Sequence, residues 1–472
     1  MTKTPSTPST PRQPDNHRCS RTSAIATPAR RLLATLLLAG GLGAGVSAAA
    51  ASDSAVVANI RGLSSPQVEA LKQASGVHWW LELGDEMLLA GDAGSLQDLL
   101  PATPANRLLA NVSPAQFALR GRDCSEHEEE VGTLIARGGR TELRRLDLGE
   151  SMPQHAEWHA VQPNQVIVQN WRIDDASRAA PDPLIAPIVN AIDKDRWFED
   201  MVQLTAWDRH SYSTQVTAAR NWIGDRFEDI GLLRSDPAFT LGSRTLNNIV
   251  GTWTGSRYPD EWIVVGGHYD SRNASSSSTT PTPGAEDNAT GCAGVIELAR
   301  ALVAFKPERT VIFMCYSGEE QGLYGSKAHV SALQQAGNLG KIKAVVTMDM
   351  IGYSADAQLD VLLETKPAHS AYIQRFASAA TTYVPEMNVQ LSYDPWGSDH
   401  VPYLDKGLTA LLAIDADYDS YPHYHRSTDL PQNLGPHARS MGSSILKMNV
   451  AVLAELTGAS DRIFHYDAET AP

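Results

Sequence analysis

At 472 residues, with 42% hydrophobic and 20% charged residues, the chain has ample apolar sequence for a large core and neither a disordered nor a collagen-like composition. Its net charge of −15 understates the body, because residues 1–50 hold Lys3, Arg12, Arg18, Arg21, Arg30 and Arg31 against Asp15 alone, leaving roughly 33 basic against 53 acidic residues. A surface this acidic repels phosphate backbones, which argues against a nucleic-acid partner and fits a soluble exported protein.

The N-terminus reads as an export signal over residues 1–51: Arg30 and Arg31, an apolar run over 32–46, then small residues suited to signal peptidase. That run is too short to span a bilayer comfortably, and no later segment has eighteen consecutive apolar residues, so no stable membrane anchor is expected. The expected location is secreted or periplasmic. At roughly 100–200 residues per domain, the remainder predicts two to three units. Residues 52–172 alternate short apolar runs with turns: 142–148 and 165–171 are strand-like, 66–74 and 94–100 helical, which predicts a small N-terminal α+β domain, either an accessory domain or a propeptide. The charge run His127-Glu128-Glu129-Glu130 reads as a solvated helix face. Residues 173–187, rich in Asp, Pro and small residues, read as a linker.

From 188 to 460, short apolar runs at 262–267, 310–316, 344–348, 360–363 and 409–414 alternate with helical stretches near 290–305, 323–335, 368–382 and 437–456; 461–472 is a tail. Apolar strands separated by helices predict an α/β fold with a mixed, mainly parallel sheet flanked by helices. In such a sheet, ligands collect beyond the carboxyl ends of the strands. The Ser/Thr/Pro run over 275–283 reads as a surface loop. Once Cys19 leaves with the signal, Cys124, Cys292 and Cys315 form an odd set that implies no disulfide framework. Cys292 and Cys315, in apolar contexts, read as free packing residues.

Chemistry-bearing residues follow the strands. His268 and Asp270 come directly after 262–267, where they are either a satisfied polar pair or a ligand whose other ring nitrogen is held by Asp270. Asp287 and Asn288 precede a helix, so either explains itself as a cap, and a carboxylate fixed there could equally bridge two cations. Glu319 and Glu320 follow 310–316; neighbouring side chains point differently, so one can hold a metal while the other stays free as a base. Asp349 continues the apolar run 344–348, and an unpaired carboxylate buried there is costly unless coordinated. His423 and His425 follow the last strand. Each segment has an ordinary structural explanation alone. Five of them at one sheet edge do not.

The motifs G-H-x-D-S at 267–271, G-A-x-D-N-A-x-G at 284–291, G-E-E-x-G-L-x-G-S at 318–326, M-D-M at 348–350 and Y-H-x-S-T-D at 424–429 resemble those of the M28 metallopeptidases, the co-catalytic zinc aminopeptidase fold. The resemblance covers about 188–460 and points to the secreted bacterial leucyl-type aminopeptidases. It implies two Zn2+ per chain, with His268, Asp349 and Asp287 on one, Glu320, His425 and Asp287 on the other, and Asp287 as the bridge. It implies Glu319 as general base and Asp270 as the partner of His268. His425 is preferred over His423 because Ser427-Thr428-Asp429 follows it. Peptides with a free N-terminus are the expected partners of a monomeric enzyme, cleaved after an apolar, leucine-like first residue. A carboxypeptidase or glutaminyl cyclase of the same fold, and a non-catalytic binding protein, are the alternatives; cyclisation needs one zinc, and the only evident cation for a substrate carboxylate is Arg426. The chain departs from some relatives at Tyr393-Asp394-Pro395-Trp396-Gly397, where they carry a cysteine pair before Ser-Asp-His.

Overall fold

The structure is a computed structural model describing residues 53–99, 107–122, 131–155, 157–172, 178–273 and 280–460. The chain divides into Met1–Ala51 and Ser52–Pro472, and every described residue belongs to the second part. The expected export signal, the His127 to Glu130 run, Cys124 and the 461–472 tail lie outside the described residues, as do parts of the expected linker and of the Ser/Thr/Pro loop.

The first strands are β1 (Asp53–Asn59), β2 (Val77–Leu83), β3 (Glu86–Gly91), β4 (Arg107–Val112), β5 (Phe117–Gly121), β6 (Thr133–Gly138), β7 (Thr141–Arg145), β8 (Trp158–Ala160) and β9 (Gln165–Asn170). Helices Ser65–Lys72 and Ala93–Leu99 pack on this part, as their apolar spacing predicts. Then come β10 (Leu233–Ser235), β11 (Ala238–Leu241), β12 (Arg244–Asn247), β13 (Ile249–Trp253), β14 (Tyr258–His268), β15 (Arg309–Tyr316), β16 (Ile342–Met348), β17 (Leu359–Glu364), β18 (Met387–Ser392) and β19 (Ala410–Asp415). The five apolar runs of the sequence are β14, β15, β16, β17 and β19, and the four long helices expected between and after them are Thr290–Val303, Tyr324–Gln335, Ser370–Tyr383 and Ala438–Thr457.

Among the described residues, one 13-stranded sheet runs β10-β13-β15-β14-β16-β19-β17-β18-β9-β2-β3-β1-β4. Its centre is parallel: β14 pairs in parallel with β15 and β16, and β16 with β19. Antiparallel pairs β13–β15 and β17–β19 make it mixed. The central strands are buried on both faces, so they lack the alternation of a half-exposed strand. Ile263, Val265, Val311 and Phe313 enter one core with the helices Thr290–Val303 and Ala438–Thr457. Their neighbours Val264, Ile312 and Met314 enter the opposite core with Val330, Leu333 and Tyr403. The N-terminal strands continue this sheet, because β9 pairs with β18 on one side and β2 on the other. A second sheet, β6-β7-β5-β8, lies within the N-terminal part.

Cys292 and Cys315 are not free: they form a disulfide with Cα atoms 5.6 Å apart. Both had the apolar surroundings of a packing cysteine. What the linear sequence hides is that Cys315 points to the same sheet face as Phe313, where the first turn of helix Thr290–Val303 delivers Cys292. Closing this 23-residue separation restricts the unfolded chain, so Cys292→Ala with Cys315→Ala should lower unfolding free energy by about 2–4 kcal/mol. Urea unfolding of the double variant checks this; a midpoint equal to the parent's would show that the bridge contributes nothing to stability.

Candidate metal centre

The carboxyl edge of the central strands gathers the expected residues. His268 is the last residue of β14, Asp349 follows β16, and Glu319 and Glu320 lie just beyond β15. Asp287 sits in the segment Ala285–Ala289, whose Asp287 (φ −111, ψ 94) and Asn288 (φ −135, ψ 55) are non-helical and joined by a cis peptide. Asn288 locks the segment against β16: its Nδ2 donates to the Met348 carbonyl at 2.9 Å, and its Oδ1 accepts from Gly291 N at 2.8 Å and Met350 N at 3.2 Å. Gly291 leaves room for that amide, since a Cβ there would lie 2.3 Å from Asn288 Oδ1. Asp429 fastens the other side, accepting from Glu286 N at 2.9 Å and Asp287 N at 3.0 Å. Met350 (φ 50) and His425 (φ 52) hold left-handed backbone that non-glycine residues seldom adopt.

These constraints bring five ligand-type side chains into two overlapping triads. His268, Asp287 and Asp349 form one, Asp287, Glu320 and His425 the other, with ligand atoms within 4.8 Å of one another in each. Asp287 divides its two oxygens: Oδ1 lies 3.3 Å from His268 Nε2, and Oδ2 lies 2.9 Å from His425 Nε2. Asp349 Oδ1 is 3.2 Å from His268 Nε2, and Glu320 Oε2 is 3.4 Å from His425 Nε2. His423 turns elsewhere, its Nδ1 lying 2.8 Å from Thr428 Oγ1.

His268 Nδ1 lies 3.0 Å from the main-chain oxygen of Asp270. Donating there fixes the proton on Nδ1 and leaves the Nε2 lone pair for the triad. The Asp270 carboxylate, 3.8 Å from that nitrogen, instead accepts from Ser211 Oγ at 3.0 Å and Glu319 N at 3.2 Å. Asp270 therefore serves His268 through its backbone and the Glu319 segment through its side chain. Burial pulls the His268 imidazole down, but Asp349, Glu319 and Asp287 outweigh it and raise its pKa well above the ordinary value. Burial also pushes the Asp287 carboxyl up, yet hydrogen bonds from both histidines hold it below the usual carboxylate range. The carboxylates gathered here thus stabilise positive charge on His268.

Two arginines at the site carry no motif. Arg209 is fully buried and donates to the carbonyls of Tyr269 (2.7 Å), Leu204 (3.0 Å), Gly284 (2.7 Å) and Pro283. Arg272 lies with Nε 3.2 Å from Glu320 Oε2 and Nη2 2.9 Å from His425 Nδ1. Arg426, the only evident cation in the sequence, is exposed on its turn. An arginine directly after the G-H-x-D-S motif was a readable signal for Arg272; nothing near Arg209 in sequence marks it.

The donor set fits zinc. Each triad offers one imidazole nitrogen and two carboxylates, the mixed N and O ligation of a site that keeps a coordination position open. Glu320 Oε1 is buried without a hydrogen-bond donor among the described residues, a cost that coordination removes.

Residues 248–448 match the model of peptidase family M28. In sequence, the chain is 28% identical over 305 residues to a "Probable zinc metalloprotease" of Pyrenophora tritici-repentis, covering 52% of this chain and 69% of that protein. It is 24% identical over 269 residues to a "Probable leucine aminopeptidase" of Trichophyton verrucosum, covering 53% and 70%. In structure, it is similar to the LapA aminopeptidase of Legionella pneumophila, with a TM-score of 0.51 at 19% identity, over 72% of this chain and 98% of that one. LapB of the same organism gives 0.50 at 19% identity, over 86% and 99%. At these identities the structural likeness establishes the fold: a mixed sheet flanked by helices, here with an additional N-terminal sheet.

Proposed function

We propose, from the match of residues 248–448 to the model of peptidase family M28, that this chain is a secreted, two-zinc aminopeptidase of that family, removing apolar, leucine-like residues from peptides with a free N-terminus. The observation that carries this reading is the division of the Asp287 carboxylate between His268 and His425, which makes two triads share one bridge. Zinc held there supplies Lewis-acid chemistry, polarising the scissile carbonyl and acidifying a water.

The chain's own residues do the rest. His268 and Asp349 hold one side, Glu320 and His425 the other. Glu319, brought to the site by the turn at Gly318 (φ 68), takes the proton of the attacking water and returns it to the leaving amine. The carboxylate excess attracts the substrate's α-ammonium. The half-buried Tyr424 ring, stacked on His425 at 3.9 Å, offers apolar surface to the first side chain. The disulfide fits an oxidising, extracytoplasmic compartment, and among the described residues no helix is long and apolar enough to cross a membrane.

Arg272 favours a second reading, a carboxypeptidase, because a guanidinium beside the metal centre could take a substrate carboxylate. Leucine-, lysine- and glutamate-anilides, an N-acetyl-leucine anilide and N-blocked peptides with free or amidated C-termini separate the two. The aminopeptidase should cleave the free leucine anilide at least about 100-fold faster in kcat/KM than its acetylated form. Equal rates on both anilides, or cleavage confined to blocked peptides with a free carboxylate, would overturn it.

A further inference from the structure

The N-terminal part does more than extend the sheet. The hairpin β6–β7 turns at Gly139 and Arg140, and its tip is driven against β17: a Cβ at Gly139 (φ 51) would lie 3.0 Å from Leu362. The next residue, Arg140, is 4% exposed. Its Nη1 donates to Glu364 Oε2 at 3.4 Å, its Nη2 to the carbonyl of Gly397 at 3.2 Å, and its guanidinium lies 5.7 Å from the centre of the Tyr418 ring. Burial raises the Glu364 carboxyl to about 7, against the opposing charge of Arg140.

Both segments gripped by Arg140 lead to the metal centre. Gly397 precedes Ser398, whose Oγ donates to Asp349 Oδ2 at 2.9 Å, on the carboxylate that faces His268. Tyr418 begins the segment that ends at His425. Other N-terminal residues hold the same two segments. Tyr393 N donates to the Ile167 carbonyl at 2.9 Å, and Thr141 Oγ1 to Asp394 Oδ2 at 3.4 Å. The Trp396 ring fills the space beside Gly121, where a Cβ would lie 3.0 Å away, and meets His159 edge-on at 6.3 Å. Arg122 pairs with Asp419.

We propose that residues 53–170 stay in the active enzyme, and that Arg140 is a positioning residue setting the two segments that orient Asp349 and His425. The proposal rests on the two-zinc reading of those ligands, but not on the aminopeptidase reading. A ligand's orientation is sensitive to the groups behind it, and losing such a partner typically weakens metal binding by about 10–100-fold.

The test measures zinc affinity of the full chain by chelator competition, which needs no turnover. Arg140→Met should weaken zinc binding by about 10–100-fold. Arg140→Lys keeps a charge beside Glu364 but cannot fork to Gly397 and Tyr418 as well, so it should fall between that variant and the parent. The control is Lys72→Met, which breaks the buried Lys72–Glu82 pair (2.7 Å) of the N-terminal part, a pair that makes no hydrogen bond to either segment. It should lower the unfolding midpoint and leave zinc affinity unchanged. If Arg140→Met does not fold, the comparison of Arg140→Lys with Lys72→Met decides. Parent-like zinc affinity in the Arg140 variants, or an equal loss in Lys72→Met, overturns the positioning role. Intact mass of the zinc-loaded, active protein should include residues 53–170. An active species beginning beyond residue 172 overturns retention. A failed anilide panel with these zinc results intact would reject the aminopeptidase alone.

Discussion

Glu319→Gln is expected to lower kcat by about a thousandfold while zinc content stays at two per chain and KM moves by less than a few-fold. The substitution is nearly isosteric. The main-chain N–H of Glu319 keeps its 3.2 Å bond to Asp270 Oδ1, so the turn that presents the side chain is retained. The carboxylate's basicity alone is lost. Because the proton moves only as the reaction proceeds, that loss falls on the transition state and not on substrate binding. Steady-state kinetics on leucine anilide with metal analysis of the same sample give the answer. A variant that keeps a tenth of parental kcat removes Glu319 from the role of base, and one that loses zinc shows it to be structural.

Arg209→Met is expected to cost about 3–5 kcal/mol of stability, and to cost more in chelator-treated than in zinc-loaded protein. The guanidinium is fully buried, and burial drags its pKa down to about 10 even though Asp429, Asp270, Asp287 and Glu320 pull it up. It is the cation set behind the site's carboxylates. Its donors also satisfy the carbonyls of Tyr269 and Gly284, which flank Asp270 and the Asp287 segment. Methionine fills much of the volume and supplies neither charge nor donors. Zinc restores part of the missing positive charge, so the loaded protein suffers less. Urea midpoints of both forms check this, and a loss below about 1 kcal/mol, or one larger in the loaded form, contradicts the compensating role.

What the sequence revealed and what it hid divide along physical lines. The strand runs were legible because a strand buried on both faces must be apolar throughout, as the runs over 262–267 and 310–316 are. Charged residues placed directly after such runs, as Asp349 is, stood out because a carboxylate at a buried edge needs a partner. The hidden features are pairings across long separations. Arg209 lies 75 residues from the Gly284 carbonyl it holds, and Arg140 lies 257 from that of Gly397. Neither position differs in composition from an ordinary surface arginine. The Cys292–Cys315 bridge was concealed by the same apolar surroundings that make a free cysteine a packing residue. For Asp270 the difference is one of atoms. Its spacing places it beside His268, but a main-chain oxygen has no sequence signature, and it is that oxygen which the ring meets.

The place of β9 in the large sheet has a consequence for handling the protein. Without β9, the main-chain groups of β18 that now face it would be open to solvent along Val389 to Tyr393: Trp171 N donates to the Val389 carbonyl and Tyr393 N to that of Ile167, with Gln390, Leu391 and Ser392 in register between them. An open strand of this kind is a template for a strand from another molecule. A fragment begun after residue 172 would therefore tend to be lost by self-association before its chemistry could be measured, and an inactive preparation of it would report on solubility first.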